Sequence, residues 1–205
     1  MSFKSFVAGQ ILTAAEVNTY LMRQSVITCT SGTRPSSPNA GMVIYETDTN
    51  RVLVYTTATT GWQPPWNTPW GRVTSVQLLA SQGPFTTETA VPGFSVSFTG
   101  VQNRLYRALL TGHTYSTVAG DNIELKLRQN NVSGYVYASS NRQVQAVSNQ
   151  EGHHIITEFT AVGSTTMVAT LRRGTGSGDI HLFAPSSELA ARIIIEDVGP
   201  ASAPA

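Results

Sequence analysis

From residue 72 onward, short runs of Val, Ile, Leu, Phe and Thr alternate with Gly, Asn, Ser and Asp clusters. The turns recur about every 8 to 12 residues, the rhythm of an antiparallel β-sandwich. The clearest run is Ile123-Glu124-Leu125-Lys126-Leu127-Arg128, in which every second residue is apolar and each intervening one is charged. Successive side chains of a strand point to opposite faces, so this segment has one dry side and one wet side. Phe94-Ser95-Val96-Ser97-Phe98 repeats the pattern with serines. Ten strands are expected, over 73–79, 94–98, 105–114, 122–128, 134–138, 143–147, 154–161, 166–171, 180–183 and 189–196. They suffice for two packed antiparallel sheets.

Composition points the same way. Only 12% of the chain is charged, about half the usual share for a globular protein. Its polar surface must therefore be Ser, Thr, Asn and Gln, which suit strands and turns better than long helices. Thirteen Lys and Arg against twelve Asp and Glu leave a net charge of +1, no field to attract nucleic acid or an anionic membrane. No stretch approaches the ~18 apolar residues of a membrane span. Met1-Ser2-Phe3-Lys4 leads into no apolar signal core, so synthesis and folding in a cytoplasm are expected. Cys29 is the sole cysteine, and stability must come from packing or oligomerisation without an internal disulfide.

The N-terminal third reads differently. Thr13 and Glu16 have capping-box spacing: the Thr hydroxyl accepts from the Glu amide while the carboxylate reaches back to the Thr amide. Leu12 and Val17 take the staple positions, and Val17, Tyr20 and Leu21 form an i, i+3, i+4 stripe on a helix of about three turns. So short a helix needs a partner surface, which makes Leu12, Val17, Tyr20 and Leu21 candidate anchoring residues. Residues 30–41, all small, turn-forming or Pro apart from Arg34, predict an extended connector. A hairpin follows, with arms at 42–46 and 51–55 around Thr47-Asp48-Thr49-Asn50. Trp62, Trp66 and Trp70 are interleaved with Pro64, Pro65 and Pro69. The rings are expected to cover the small hairpin, and fixed proline φ angles predict a rigid hinge to the next domain. The expected division is an anchoring segment 1–29, a connector and hairpin 30–70, a sandwich 71–198 and a tail 199–205.

No local pattern carries catalysis. The chain has no G-x-S-x-G elbow, and Cys29 has no neighbouring base. His153-His154 with Glu158 lacks the helical spacing of a zinc motif, and on a strand the two histidines point to opposite faces. Gly174-Thr175-Gly176-Ser177-Gly178-Asp179 precedes a strand instead of the helix that a phosphate cradle requires. Asp48-Thr49-Asn50 lacks the glycine and distal glutamate of a calcium loop. No catalytic residue, cofactor or metal is expected.

Phe6-Val7-Ala8-Gly9-Gln10-Ile11-Leu12-Thr13-Ala14-Ala15-Glu16-Val17-Asn18-Thr19-Tyr20-Leu21-Met22 resembles the opening of tailed-bacteriophage virion proteins, especially of phages infecting actinobacteria. The block Gly41-Met42-Val43-Ile44-Tyr45-Glu46-Thr47-Asp48-Thr49-Asn50-Arg51, with Tyr55 and Gly61-Trp62, resembles a small hairpin repeat of phage tail fibres and minor tail proteins. The remainder, ending in Ala191-Arg192-Ile193-Ile194-Ile195-Glu196-Asp197-Val198-Gly199-Pro200, is similar to trimeric jelly rolls of the tumour-necrosis-factor or C1q kind.

The resemblance implies a mainly β protein: a small helix and hairpin module, then a jelly-roll-like sandwich in a compact homotrimer. It further implies a virion component made in the host bacterial cytoplasm, with other phage virion proteins of the tail or capsid as partners. A tail fibre or tail-tip attachment protein is the first expectation, with a host cell-surface glycan as a further partner; a capsid decoration protein is the alternative. The rival from another class is a carbohydrate-binding or hydrolytic module directed at the envelope. It requires aromatics and paired carboxylates, whereas residues 135–205 offer only Tyr135, Tyr137, Phe159 and Phe183 as aromatics.

Overall fold

The computed structural model describes residues 7–17, 25–57, 61–66 and 68–202. It divides into two compact units, Met1–Thr68 and Pro69–Ala205.

In the first unit the capping box forms, with Glu16 N donating to Thr13 Oγ1 at 3.2 Å and Thr13 N donating to Glu16 Oε2 at 2.9 Å. The described part of helix α1 covers Ala14–Glu16; the rest of the expected helix, with Tyr20 and Leu21, lies outside the described residues. Strands β1 (Ile27–Cys29), β2 (Val43–Glu46), β3 (Arg51–Thr56) and β4 (Gly61–Gln63) form one sheet in that order. The hairpin pairs Glu46 with Arg51 and Val43 with Val54. Sequence reading missed β1, which runs parallel to β2 with Ile27 opposite Ile44. The connector is also more than a spacer. Ser31 donates through N (2.9 Å) and Oγ (2.6 Å) to Asp48 at the hairpin tip, and Arg34 pairs with the buried Glu46.

The second unit contains β5 (Gly71–Leu78), β6 (Gln82–Phe85), β7 (Thr89–Gly100), β8 (Arg104–Ser116), β9 (Asn122–Gln129), β10 (Val136–Gln143), β11 (Glu151–Thr160), β12 (Gly163–Thr175), β13 (Ile180–Phe183) and β14 (Ala191–Pro200). One sheet has the order β10-β9-β12-β7. The other has the order β5-β14-β8-β13-β6, with β11 on the opposite edge of β8. Leu110 sits between Ile193 and Ile155 in register, which places β14 and β11 on the two sides of β8. The chain passes from sheet to sheet at β6–β7, β7–β8, β8–β9, β10–β11, β11–β12 and β12–β13, the winding of a jelly roll. Along β8 burial alternates strictly, and Tyr106, Ala108 and Leu110 enter a core shared with Phe94, Leu125 and Ile193.

Two expected strand positions are corrected. The strand expected over 143–147 is not there: β10 ends at Gln143 and residues 144–147 form a loop, in which Val144 is buried but its N–H donates to Asp121 O and not to a ladder. β6 was missed because Gly83 and Pro84 read as breakers; on an edge strand both are tolerated. Gly71 pairs with Asp197, so the chain enters and leaves the sandwich at one end. The loops 117–121, 144–150 and 176–179 lie at the other.

Candidate functional site: the outer face of the larger sheet

Strand alternation that buries Tyr106, Ala108 and Leu110 turns Leu105, Arg107, Leu109, Thr111 and His113 to the opposite side of β8. Register then aligns them with β11, β14 and β5. Ile156, Leu109 and Ile194 lie side by side across three strands and form an apolar row that ends at Ser75. Ile156 is 66% exposed. The next row reads Glu158, Arg107, Glu196, Arg72, alternating in sign. In it Arg107 donates from Nη2 to Glu158 Oε1 at 2.8 Å. On the other flank run His154, Thr111, Arg192 and Gln77. Farther along the same face Tyr115 stacks on His181 with centroids 4.8 Å apart, and Phe183 meets Tyr115 edge-on at 6.0 Å.

This surface brings no convergent acid, base and nucleophile together. It has the makings of an association face: apolar residues in a central line, charged residues of both signs beside them.

Neither a protein-family profile nor a characterised protein matches the chain by sequence. Among solved structures, the Eiger TNF from S. frugiperda is 11% identical with a TM-score of 0.36, covering 60% of this chain and 98% of its own. The infectious bursal disease virus VP2 subviral particle is 7% identical with a TM-score of 0.43, covering 80% of this chain and 40% of its own. The carbohydrate-binding module CBM36, in complex with calcium and xylotriose, is 12% identical with a TM-score of 0.29, covering 61% of this chain and 99% of its own.

The residues singled out in the sequence fall in separate places. Leu12 is exposed and Val17 half-buried. Trp62 meets Tyr55 edge-on at 5.4 Å, covering the hairpin, and Trp66 is exposed. Trp70 belongs to the sandwich, where the Arg104 guanidinium lies 4.1 Å above its ring.

Arg104 and Asp197 were not foreseen. Both are fully buried. Arg104 Nε donates to Asp197 Oδ2 at 2.8 Å, and Asp197 Oδ1 accepts from Trp70 N at 3.2 Å and Gly199 N at 3.1 Å. The bonds fasten the segments on which the chain enters and leaves the sandwich.

The adjacent histidines divide as a strand requires: His154 is exposed and His153 is buried. His153 Nε2 lies 2.8 Å from Thr114 Oγ1, and Nδ1 lies 2.9 Å from Ser140 Oγ on the other sheet. Burial first, then the charges of Arg142 and His113, push its pKa down to about 4. Among the described residues no group of His, Cys, Asp and Glu is placed to hold a metal ion, and no helix is long and apolar enough to cross a membrane.

Proposed function

We propose that this chain is a structural, non-catalytic subunit of a tailed-phage virion, a homotrimer joined through the outer face of the larger sheet. The observation that carries the reading is the Ile156, Leu109, Ile194 row beside the sign-alternating Glu158, Arg107, Glu196, Arg72 row. An apolar line left wet in a lone protomer is covered when copies meet. A closed ring of three uses every copy's face and leaves no open end. The resemblance to trimeric jelly rolls supports three copies.

The hairpin block favours the tail, as a fibre or tail-tip attachment protein, with Leu12, Val17, Tyr20 and Leu21 on the anchoring side. Labelling intact particles with gold-tagged antibody tests the position. Gold at the tail is expected; gold scattered over the head makes the chain a capsid decoration protein instead.

A further inference from the structure

Of the four histidines in the chain, His113, His154 and His181 all lie on the outer face of the larger sheet, on β8, β11 and β13. Register sets them at successive levels to one side of the apolar row. His154 comes first, in line with Thr111 and Arg192; His113 follows, between Gly152 and Phe183; His181 comes last, stacked on Tyr115. The fourth, His153, points into the core.

No carboxylate on the strands of this half of the face stands beside the three rings. Glu158 and Glu196 belong to the row on the far side of Ile156, Leu109 and Ile194. Glu151 opens β11 in register with the buried Thr114 and accepts from Asn149 Nδ2 at 3.0 Å, while Asp179 and Glu188 are exposed in the loops before β13 and β14. Against these acids stand Arg192 and Arg142, the latter donating from Nε on β10 to Gly152 O at 3.2 Å. Among the described residues none of the three histidines forms an ion pair. His113 Nδ1 is buried and meets no hydrogen-bond partner there, so a proton placed on it finds no acceptor in the protomer.

Imidazole is the side chain whose charge changes between about pH 5 and 8. With the rings neutral, the arginines and acids of this half-face nearly offset each other. With the rings charged, three cations join one side of that balance. Symmetry makes the effect collective, because rotation keeps every residue at its own height along the axis and copies of one face meet level by level. Histidine levels then face histidine levels, and like charges so placed oppose association. We propose that the assembly face is a proton-sensitive clasp, closed at neutral pH and released below about pH 5.5 as His113, His154 and His181 take up protons. The inference rests on the trimer reading of that face.

The test is sedimentation of the full chain on both sides of the histidine range, with circular dichroism on the same samples. The trimer mass at about pH 7.5, one third of it at about pH 5, recovery on return to neutrality and an unchanged β-sheet spectrum are expected. In acid, raising salt from about 0.05 to 0.5 M should restore part of the trimer by screening the repulsion. H113Q/H154Q/H181Q should stay trimeric at both pH values. H154Q/H181Q, which leaves the half-buried His113 in place, should shift the release midpoint to lower pH. His153→Gln should release as the native chain does; suppression there moves the response to the core and overturns the proposal. A trimer at both pH values, or an acid release unchanged in both multiple variants, overturns the clasp and leaves the trimer standing. So does loss of the β-sheet spectrum in step with the mass, which assigns the acid response to unfolding. A native chain that is monomeric at both pH values rejects the trimer reading itself, and the clasp with it.

Discussion

Two buried side chains set the sandwich's tolerance to change. Arg104 and Asp197 neutralise each other where water cannot reach either. Replacing Arg104 with Met strands the carboxylate with only two backbone donors, and a buried pair broken on one side costs about 3 to 5 kcal/mol. Urea unfolding should show that loss, and R104M/D197L should recover part of it, because the second change removes the stranded charge but also leaves Trp70 N and Gly199 N without Asp197. His153 gives a pH dependence. Its folded pKa of about 4 lies below the ordinary 6.5, so between those values the unfolded chain binds the extra proton. Stability is complete above about pH 6.5 and falls toward pH 4 by about 3 kcal/mol. His153→Gln should flatten the unfolding midpoint across that window, whereas H154Q, at the exposed neighbour, should not.

Elements differ in how plainly the sequence announces them. β9 could be read directly, because its alternation separates Ile123, Leu125 and Leu127 in the core from Glu124, Lys126 and Arg128 outside. β13 was read to the residue. Faults in the alternation were equally informative. Leu109-Leu110, Ile155-Ile156 and Ile193-Ile194-Ile195 break the pattern on three strands, and pairing brings the outward members, Leu109, Ile156 and Ile194, into one row. The repeated fault was visible in the sequence; that the three faults coincide is a matter of register, which long-range pairing decides.

The Arg104–Asp197 pair was illegible for a related reason, since its members stand 93 residues apart. The same limit hid Glu88, which lies ahead of β7. It accepts from Arg128 Nε (2.6 Å), Thr170 Oγ1 (2.8 Å) and Lys126 Nζ (3.3 Å), tying its turn to β9 and β12. Burial opposes its ionisation, but these three bonds prevail and hold its carboxyl at about 2. Its contribution is therefore present above about pH 4.5 and lost as pH falls through 2. Glu88→Ala should lower stability by about 2 kcal/mol at neutral pH, after allowance for solvent screening. The difference from the native chain, followed by urea unfolding, should shrink below pH 4.5.

At the scale of the whole molecule the decisive quantity is whether copies meet through the larger sheet. Ile156 is the residue to change, because its side chain is 66% exposed while its neighbour Ile155 is buried. Lysine at position 156 therefore costs the isolated fold little, as exposed substitutions usually fall within about 0.5 kcal/mol. In a trimer the same ammonium is forced into the centre of an apolar contact beside two further copies, where an unpaired charge is strongly disfavoured. The expected result for Ile156→Lys is a folded monomer by light scattering, with unchanged β-sheet circular dichroism, where the native chain gives three times the mass. Exchanging Glu158 and Arg107 both for Gln removes their charges and their 2.8 Å contact together, leaving Glu196 and Arg72 as a neighbouring pair of opposite sign. Loss of the trimer in that double variant too would place the charged row in the contact. A native chain that sediments as a monomer, or an Ile156→Lys variant that remains trimeric, would move assembly away from this sheet.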